Sequence, residues 1–458
     1  MLESIDKKSG VPLYEQLYND IKRDILSGKL VEGERLPSKR QISERLGVSV
    51  ITVENAYSQL IAEGYVRAAQ RSGYFVHYSG DAVSEVLEKP VPEPEDNIEP
   101  QREPASESAE SSVFPFSVWS RLMRSVILEK GTALLRPVRH GGAEELCTAI
   151  SDYLYRARGF YVPPRQIIVG SGTEYLYNLL IQLLGRDKSY GIENPCFEKL
   201  PKIYSLGGVH FERICLDSEG ISLSQLEQSG VSIAHISPAH HYPTGIVMPI
   251  SRRRGIMRWA EQESGRFIIE DDYDGEFRWS GKPVPTMFGS DSAGRVIYIN
   301  TFSQTIAPSV RISYMCLPRQ LYDLWEERMG FYSCTVPSFE QYTLARFISE
   351  GYFERHVSRL KKHYRRIREM VLELVKSFGG VTVNDGGSLS GLHFTIEAKR
   401  SFEEMEQLCS DCGIRLTKIS DYYADPKQAP AGCFVVHYAA AQEDKLISAL
   451  EKIGSAKQ

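Results

Sequence analysis

The sequence predicts an α/β protein in which a mostly parallel sheet is covered by helices and preceded by a separate small helical module. Three observations carry that prediction. Short apolar runs at 166–169, 189–192, 233–236, 267–269 and 296–299 alternate with helical stretches, the pattern of strands buried on both faces. About 78 residues with helical periodicity precede them. A sharp change of composition near residue 79 separates the two parts. The 458 residues suggest roughly three domains at about 150 residues each. With 42% hydrophobic and 25% charged residues, the chain can bury a large core without disulfide or metal staples. A formal net charge of −5 excludes a uniformly basic coat for nucleic acid, though not a local basic face.

The opening MLESIDKKSG has no apolar core of a secretion signal, and no run approaches the ~18 apolar residues of a membrane span. The eight cysteines (147, 196, 215, 316, 334, 409, 412 and 433) show no regular spacing. Together these features predict free thiols in a reducing cytoplasm, with no membrane partner.

In the first module, residues 1–78, Leu13, Leu17, Ile21 and Ile25 recur at helical spacing until Gly28. Ser38 opens a second helix with Gln41 in the capping-box position, and Gly47 ends it. Ser49 caps a third helix whose inward face carries Val53, Ala56, Tyr57 and Leu60, up to Gly64. The short Gly-Val turn is helix-turn-helix punctuation. Residues 65–68 and 73–76 alternate like two strands around Gln70, Arg71 and Ser72, which adds a wing. Such a unit also serves as a protein-interaction module. Its sequence, PLYEQLYNDIKRDILSGKL through GERLPSKRQISERLGVSVITVENAYSQLIAEGYVRAAQRSGYFV, resembles the GntR-type winged helix over its whole length. The resemblance implies a third helix in the major groove of double-stranded operator DNA, with Arg40, Ser49, Thr52 and Arg71 at the contacting positions. Arg40 and Arg71 would neutralise phosphates; Ser49 and Thr52 offer hydroxyls to backbone or base edges. Val50 stands where the family often has arginine, and Glu54 puts an acid on the recognition helix. Up to residue 78 there are eleven Lys/Arg against ten Asp/Glu, so affinity is expected to lean on dimerisation.

Residues 79–112 read as an acidic linker rich in Pro and Ser. Between Asp81 and Glu110 there are ten acidic and two basic residues, with prolines at 90, 92, 94, 100 and 104. Such a stretch repels itself and has little to bury. At up to ~3.3 Å per residue it reaches roughly 110 Å, which leaves half-site spacing open.

Residues 113–458 form the large part, with 113–320 expected to be mainly the large subdomain and 321–458 mainly a smaller C-terminal α+β subdomain. Polar clusters follow the strands at GSGT (170–173), ENPCF (193–197), SPAHHYPTG (237–245), EDDYDGEF (270–277) and NTFSQTIAPSVR (300–311). In parallel sheets ligands sit beyond the carboxyl ends of the strands, so these clusters mark one site. In this order they resemble the fold-type I pyridoxal-phosphate aminotransferase domain. With the winged helix in front, the whole chain resembles the MocR family of GntR-type regulators. The resemblance implies a cofactor phosphate held by Ser171, Gly172 and Thr173 at a helix start and by Thr301, Ser303 and Arg311. It places Phe197 as the stacking ring, Asp271 at the pyridine nitrogen and Tyr273 beside the ring hydroxyl. It also implies a head-to-tail homodimer and a small-molecule effector.

Two departures set the expected function. Gln304 stands where aminotransferases carry the lysine that forms the Schiff base, and a carboxamide has no nucleophilic amine. Phe434, Val435 and Val436 occupy the stretch where they carry an arginine for the substrate carboxylate. Tyr242 replaces an asparagine near the ring hydroxyl. The expectation is a regulator without catalytic residues that binds pyridoxal 5′-phosphate or pyridoxamine 5′-phosphate non-covalently. The alternatives are an active aminotransferase fused to a DNA-binding module, or a regulator with an empty scaffold domain. Cys409 and Cys412, one CxxC without a second pair, read as ordinary thiols and Cys196 as a packing residue. His240 and His241 read as pocket lining, the acidic run 270–274 as carrying site roles, and 361–366 (KKHYRR) as a solvated helix face. No metal is expected.

Overall fold

The computed structural model describes residues 11–69, 72–78, 113–279, 284–384 and 391–456. The linker expected at 79–112 and the wing residue Arg71 lie outside them. The chain divides into two compact units, Met1–Pro100 and Gln101–Gln458.

The first unit holds α1 (Leu13–Leu26), β1 (Arg35–Leu36), α2 (Lys39–Leu46), α3 (Val50–Ala62), β2 (Val66–Ala69) and β3 (Gly73–Val76). The caps explain the boundaries. At α2 the Ser38 hydroxyl accepts from the Gln41 amide at 3.3 Å, and the Gln41 side chain accepts from the Ser38 amide at 2.8 Å. Gly47 closes α2 with φ 63°, a left-handed turn that favours glycine. The Ser49 hydroxyl then caps α3 by accepting from the Thr52 amide at 3.1 Å. Val53, Ala56, Tyr57 and Leu60 are fully buried against Leu17, Ile21 and Ile42. The wing strands pair antiparallel, Val66 opposite Val76, and β1 adds a third strand on the far side of β3. At two residues β1 is too short to show alternation in the sequence.

The second unit opens with α4 (Phe116–Lys130) and α5 (Glu144–Arg158). Then follow β4 (Ile167–Gly170), α6 (Thr173–Leu184), β5 (Ser189–Asn194), α7 (Lys199–Leu206), β6 (His210–Asp217), β7 (Gly220–Ile221) and α8 (Leu223–Gln228). The sheet continues through β8 (Ile233–Ile236), α9 (Ile250–Glu261), β9 (Phe267–Asp271), α10 (Met287–Ser290), β10 (Val296–Thr301) and β11 (Ser313–Cys316). The eight strands run in the order β4-β11-β10-β9-β8-β5-β6-β7. Neighbours from β10 through β6 are parallel; β11 and β7 are antiparallel to theirs. Every expected apolar run is a strand, and helices cover both faces. Along β4, Ile168 packs with Leu176 and Leu180 of α6, while Ile167 and Val169 pack with Leu146 and Ile150 of α5. Burial on both faces is why these strands read as continuous apolar runs.

The remaining elements are α11 (Arg319–Met329), α12 (Ser338–Ser349), α13 (Tyr352–Ser377), β12 (Val381–Asn384), β13 (Phe394–Ala398), α14 (Phe402–Asp411), β14 (Arg415–Lys418), β15 (Cys433–His437) and α15 (Glu443–Ala456). The last four strands form an antiparallel sheet, β12-β13-β15-β14. The expected division at 320/321 falls within α11. Leu321, Trp325 and Met329 pack into the core under α6, and Leu344, Phe347 and Phe353 into the core under α5. The separate C-terminal core begins at Leu360, within α13, which runs continuously between the two.

Candidate functional site

In the first unit Arg40 is exposed in the first turn of α2, and Ser49 and Val50 are exposed at the start of α3. The Ser49 and Thr52 hydroxyls bond each other at 2.8 Å, so both are committed to the cap as well as facing outward. Glu54 is paired with Lys39 at 2.6 Å, which neutralises its charge locally. No Lys or Arg lies on α3, while Ile51 is 68% exposed. This exposed face therefore presents hydroxyls and methyl groups, while Arg40 lies on α2.

The second unit holds a cavity of about 190 Å³ beyond the carboxyl ends of β5, β8, β9 and β10. Phe197, Asp271, Tyr273, Thr301, Ser303 and Gln304 line it, as do Thr173 and Arg311. These residues come from widely separated segments, and the sheet brings them together.

Asp271 ends β9 on the cavity floor. Its Oδ2 accepts from the Tyr177 hydroxyl of α6 and lies 3.6 Å from His235 Nε2. His235 is fixed by the Tyr204 hydroxyl at 2.8 Å from its Nδ1. The other oxygen, Oδ1, is buried with no partner. A buried unpaired carboxylate oxygen is costly, and a ring N–H delivered by a ligand would satisfy it. Beside it, burial pushes the Glu193 carboxyl up to about 8 and drives His241 down to about 3, so both are neutral near pH 7. Tyr273 lies with its hydroxyl 3.3 Å from His240 Nδ1.

The opposite end of the cavity is cationic. Arg311 has φ 49°, the one left-handed non-glycine among the described residues, so its neighbours hold it in a disfavoured conformation. Its guanidinium lies over Gly172, where an added Cβ would sit 2.5 Å from Nη2; only glycine permits that approach. No side chain caps α6, whose first residue is Thr173. Ser171 and Gly172 do not line the cavity: the Ser171 amide donates to Thr335 Oγ1 at 3.2 Å and the Gly172 amide to the Gly170 carbonyl at 2.9 Å. The Thr301 hydroxyl is likewise tied to Ser313 at 2.8 Å. Two residues that sequence reasoning missed complete this end. Glu174 of α6 and Lys199 of α7 both line it, with Glu174 3.1 Å from Lys199 and 3.4 Å from Arg311.

Gln304 reaches the cavity from the loop after β10. Tyr242 also lines the cavity: its hydroxyl donates to Tyr422 at 2.8 Å, and its ring stands edge-on to Phe197. The register of β15 resolves which of residues 434–436 matters. Phe434 and Val436 pack into the C-terminal core, whereas Val435 joins Ile419 and Tyr422 on the face shared with His437, which lines the cavity. Val435 thus shares the strand face of His437 without itself lining the cavity.

The lesser signals resolve by packing. Cys409 and Cys412 are buried core thiols, and burial pushes the Cys196 thiol up to about 12. Within the acidic run, Glu270 takes the Met287 and Phe288 amides, Asp272 pairs with Arg158, and Asp274 takes His240 at 2.7 Å. His240, Asp274 and His393 place ligand-type atoms within 4.8 Å of one another; His240 Nδ1 bonds Asp274 at 2.7 Å, and the two histidine rings lie 4.6 Å apart, tilted by 45°. Of the basic run, Tyr364 faces the core and Arg366 pairs with Glu443 at 2.8 Å.

The profile of bacterial regulatory proteins of the gntR family matches residues 13–76, and that of class I and II aminotransferases matches residues 110–453. The HTH-type transcriptional regulator YdeL of Bacillus subtilis is 35% identical over 99% of this chain and 98% of its own. The probable rhizopine catabolism regulatory protein MocR of Rhizobium meliloti is 27% identical over 99% of this chain and 95% of its own. Kynurenine aminotransferase of Pyrococcus horikoshii superposes with a TM-score of 0.63 at 22% identity, covering 75% of this chain and 87% of that one, which shows a common fold. A DNA-binding winged helix in front of an aminotransferase-type domain, with full-length relatives of the same order, places the chain in the MocR family of GntR-type transcriptional regulators.

Proposed function

We propose that the aminotransferase-type domain binds pyridoxal 5′-phosphate or pyridoxamine 5′-phosphate reversibly, does not transaminate, and uses that occupancy to control operator binding in a cytoplasmic head-to-tail homodimer. The observation that carries the reading is Gln304 in the cavity where the catalytic lysine of an aminotransferase would stand. The remaining groups fit the cofactor. Asp271 Oδ1 would take the ring N–H, Phe197 the ring face, and Arg311 with Ser303 and Thr173 the phosphate. Ser171 and Gly172 act through the shape of the loop under Arg311. When bound as pyridoxal 5′-phosphate, the group would supply an aldehyde and an electron-withdrawing ring. A carboxamide at 304 neither forms a bond to that aldehyde nor moves a proton for it. Val435 in place of a guanidinium removes the anchor that a substrate carboxylate would need. At the other end of the chain, Arg40, Ser49, Thr52 and Arg71 contact DNA.

Thermal melting of the purified protein with each cofactor form, alone and with amino acids, tests this reading. Both forms are expected to raise the melting temperature in proportion to the logarithm of concentration, with no keto acid formed. Turnover of an amino acid would make it an enzyme, and no shift with either form would make the domain a scaffold.

A further inference from the structure

Glu174 puts a carboxylate where the proposed ligand has its phosphate. It lies in the first turn of α6, at the uncapped end that would face the dianion, and it bridges Lys199 and Arg311 at 3.1 and 3.4 Å. All three side chains line the cavity. The Arg311 guanidinium lies against the bare Gly172, which leaves it room at this spot. Lys199 follows Phe197 by two residues, so one short segment supplies both the ring face and a second cation.

Building on the cofactor-binding reading above, we propose that Glu174 is an internal competitor for the ligand phosphate and that Lys199 is the second cation of the phosphate cup. With Arg311 and Lys199 positive and Glu174 negative, the cup carries a formal charge of +1 before a dianion enters. The dianion needs the same two cations and the same helix end, so Glu174 must give them up. Two consequences follow. Affinity for phosphorylated ligands is held below what Arg311 and Lys199 alone would give, which keeps occupancy responsive to concentration. The release of Glu174 also makes the first turn of α6 differ between empty and filled states.

Calorimetry on the full-length protein with pyridoxal 5′-phosphate, unphosphorylated pyridoxal and inorganic phosphate tests the proposal. Glu174→Gln is expected to tighten pyridoxal 5′-phosphate by at least about fivefold and to bring inorganic phosphate into the measurable range. Lys199→Ala is expected to weaken pyridoxal 5′-phosphate by a similar factor, and neither variant changes pyridoxal affinity. If the parent binds pyridoxal 5′-phosphate and Glu174→Gln binds it equally or more weakly while melting normally, the competitor role is overturned. Unchanged affinity in Lys199→Ala overturns the second cation. An equal gain for unphosphorylated pyridoxal would place the effect outside the cup and also overturn the proposal. Absence of binding to both the parent and Glu174→Gln overturns the cup together with its competitor.

Discussion

At the scale of single residues, the site separates into groups legible in the sequence and groups that only folding supplies. Asp271, Gln304 and Arg311 could be read because each sits in a strand-end cluster whose residue types match a known chemistry. Tyr177, Glu174 and Lys199 could not, since tyrosine, glutamate and lysine are ordinary on helices and only the packing of α6 and α7 aims them at the cavity. Arg311→Ala removes charge-assisted bonds worth about 1.5–3 kcal/mol, so phosphorylated pyridoxal compounds should bind roughly 10- to 150-fold more weakly by calorimetry with the fold intact. Glu193 gives a pH prediction. Burial holds its carboxyl protonated up to about 8, against an ordinary value of 4.5. Between those values the folded state binds the extra proton, so the contribution of Glu193 to stability is full below pH 4.5 and is lost as pH rises toward 8. Glu193→Gln should raise the melting temperature near pH 8 relative to the parent and change it little near pH 4.5.

At the scale of elements, periodicity and caps were legible and sheet order was not. All five apolar runs are strands, because burial on both faces leaves an uninterrupted signal. The strand β6 (HFERICLD) was missed: it lies near the sheet edge, and His210, Glu212 and Arg213 interrupt its apolar pattern. The antiparallel β11 sits between β4 and β10, a placement set by long-range pairing that no local pattern encodes. In the winged helix the hydroxyl of Ser49 serves α3 itself. Ser49→Ala should therefore loosen the first turn of α3 by about 1 kcal/mol, seen as faster hydrogen exchange at the Thr52 and Val53 amides. Arg40 lies on α2 and makes no cap. Arg40→Ala should weaken DNA binding evenly across sequences and reduce the slope of log affinity against log salt by about 1, measured by gel shift at several salt concentrations. An unchanged slope would remove Arg40 from the phosphate contacts.

At the scale of the whole molecule, the order of modules was legible because composition changes abruptly at the acidic stretch. The inner division of the second unit was not, because α13 is one uninterrupted amphipathic helix that serves two cores. The same arrangement gives the large and C-terminal parts of that unit a shared cavity: Asp271 and Gln304 come from one, His393 and His437 from the other. A ligand seated there touches both and shifts any equilibrium between their arrangements only by its differential affinity. The account stands on ligand held without a covalent bond, and Gln304 is where it is most exposed to test. The direct measurement is to saturate the purified protein with pyridoxal 5′-phosphate, treat it with borohydride, dialyse, and record the intact mass. The account predicts the mass of the bare chain for the parent and a cofactor adduct at position 304 for Gln304→Lys. A stoichiometric adduct on any lysine of the parent would contradict it.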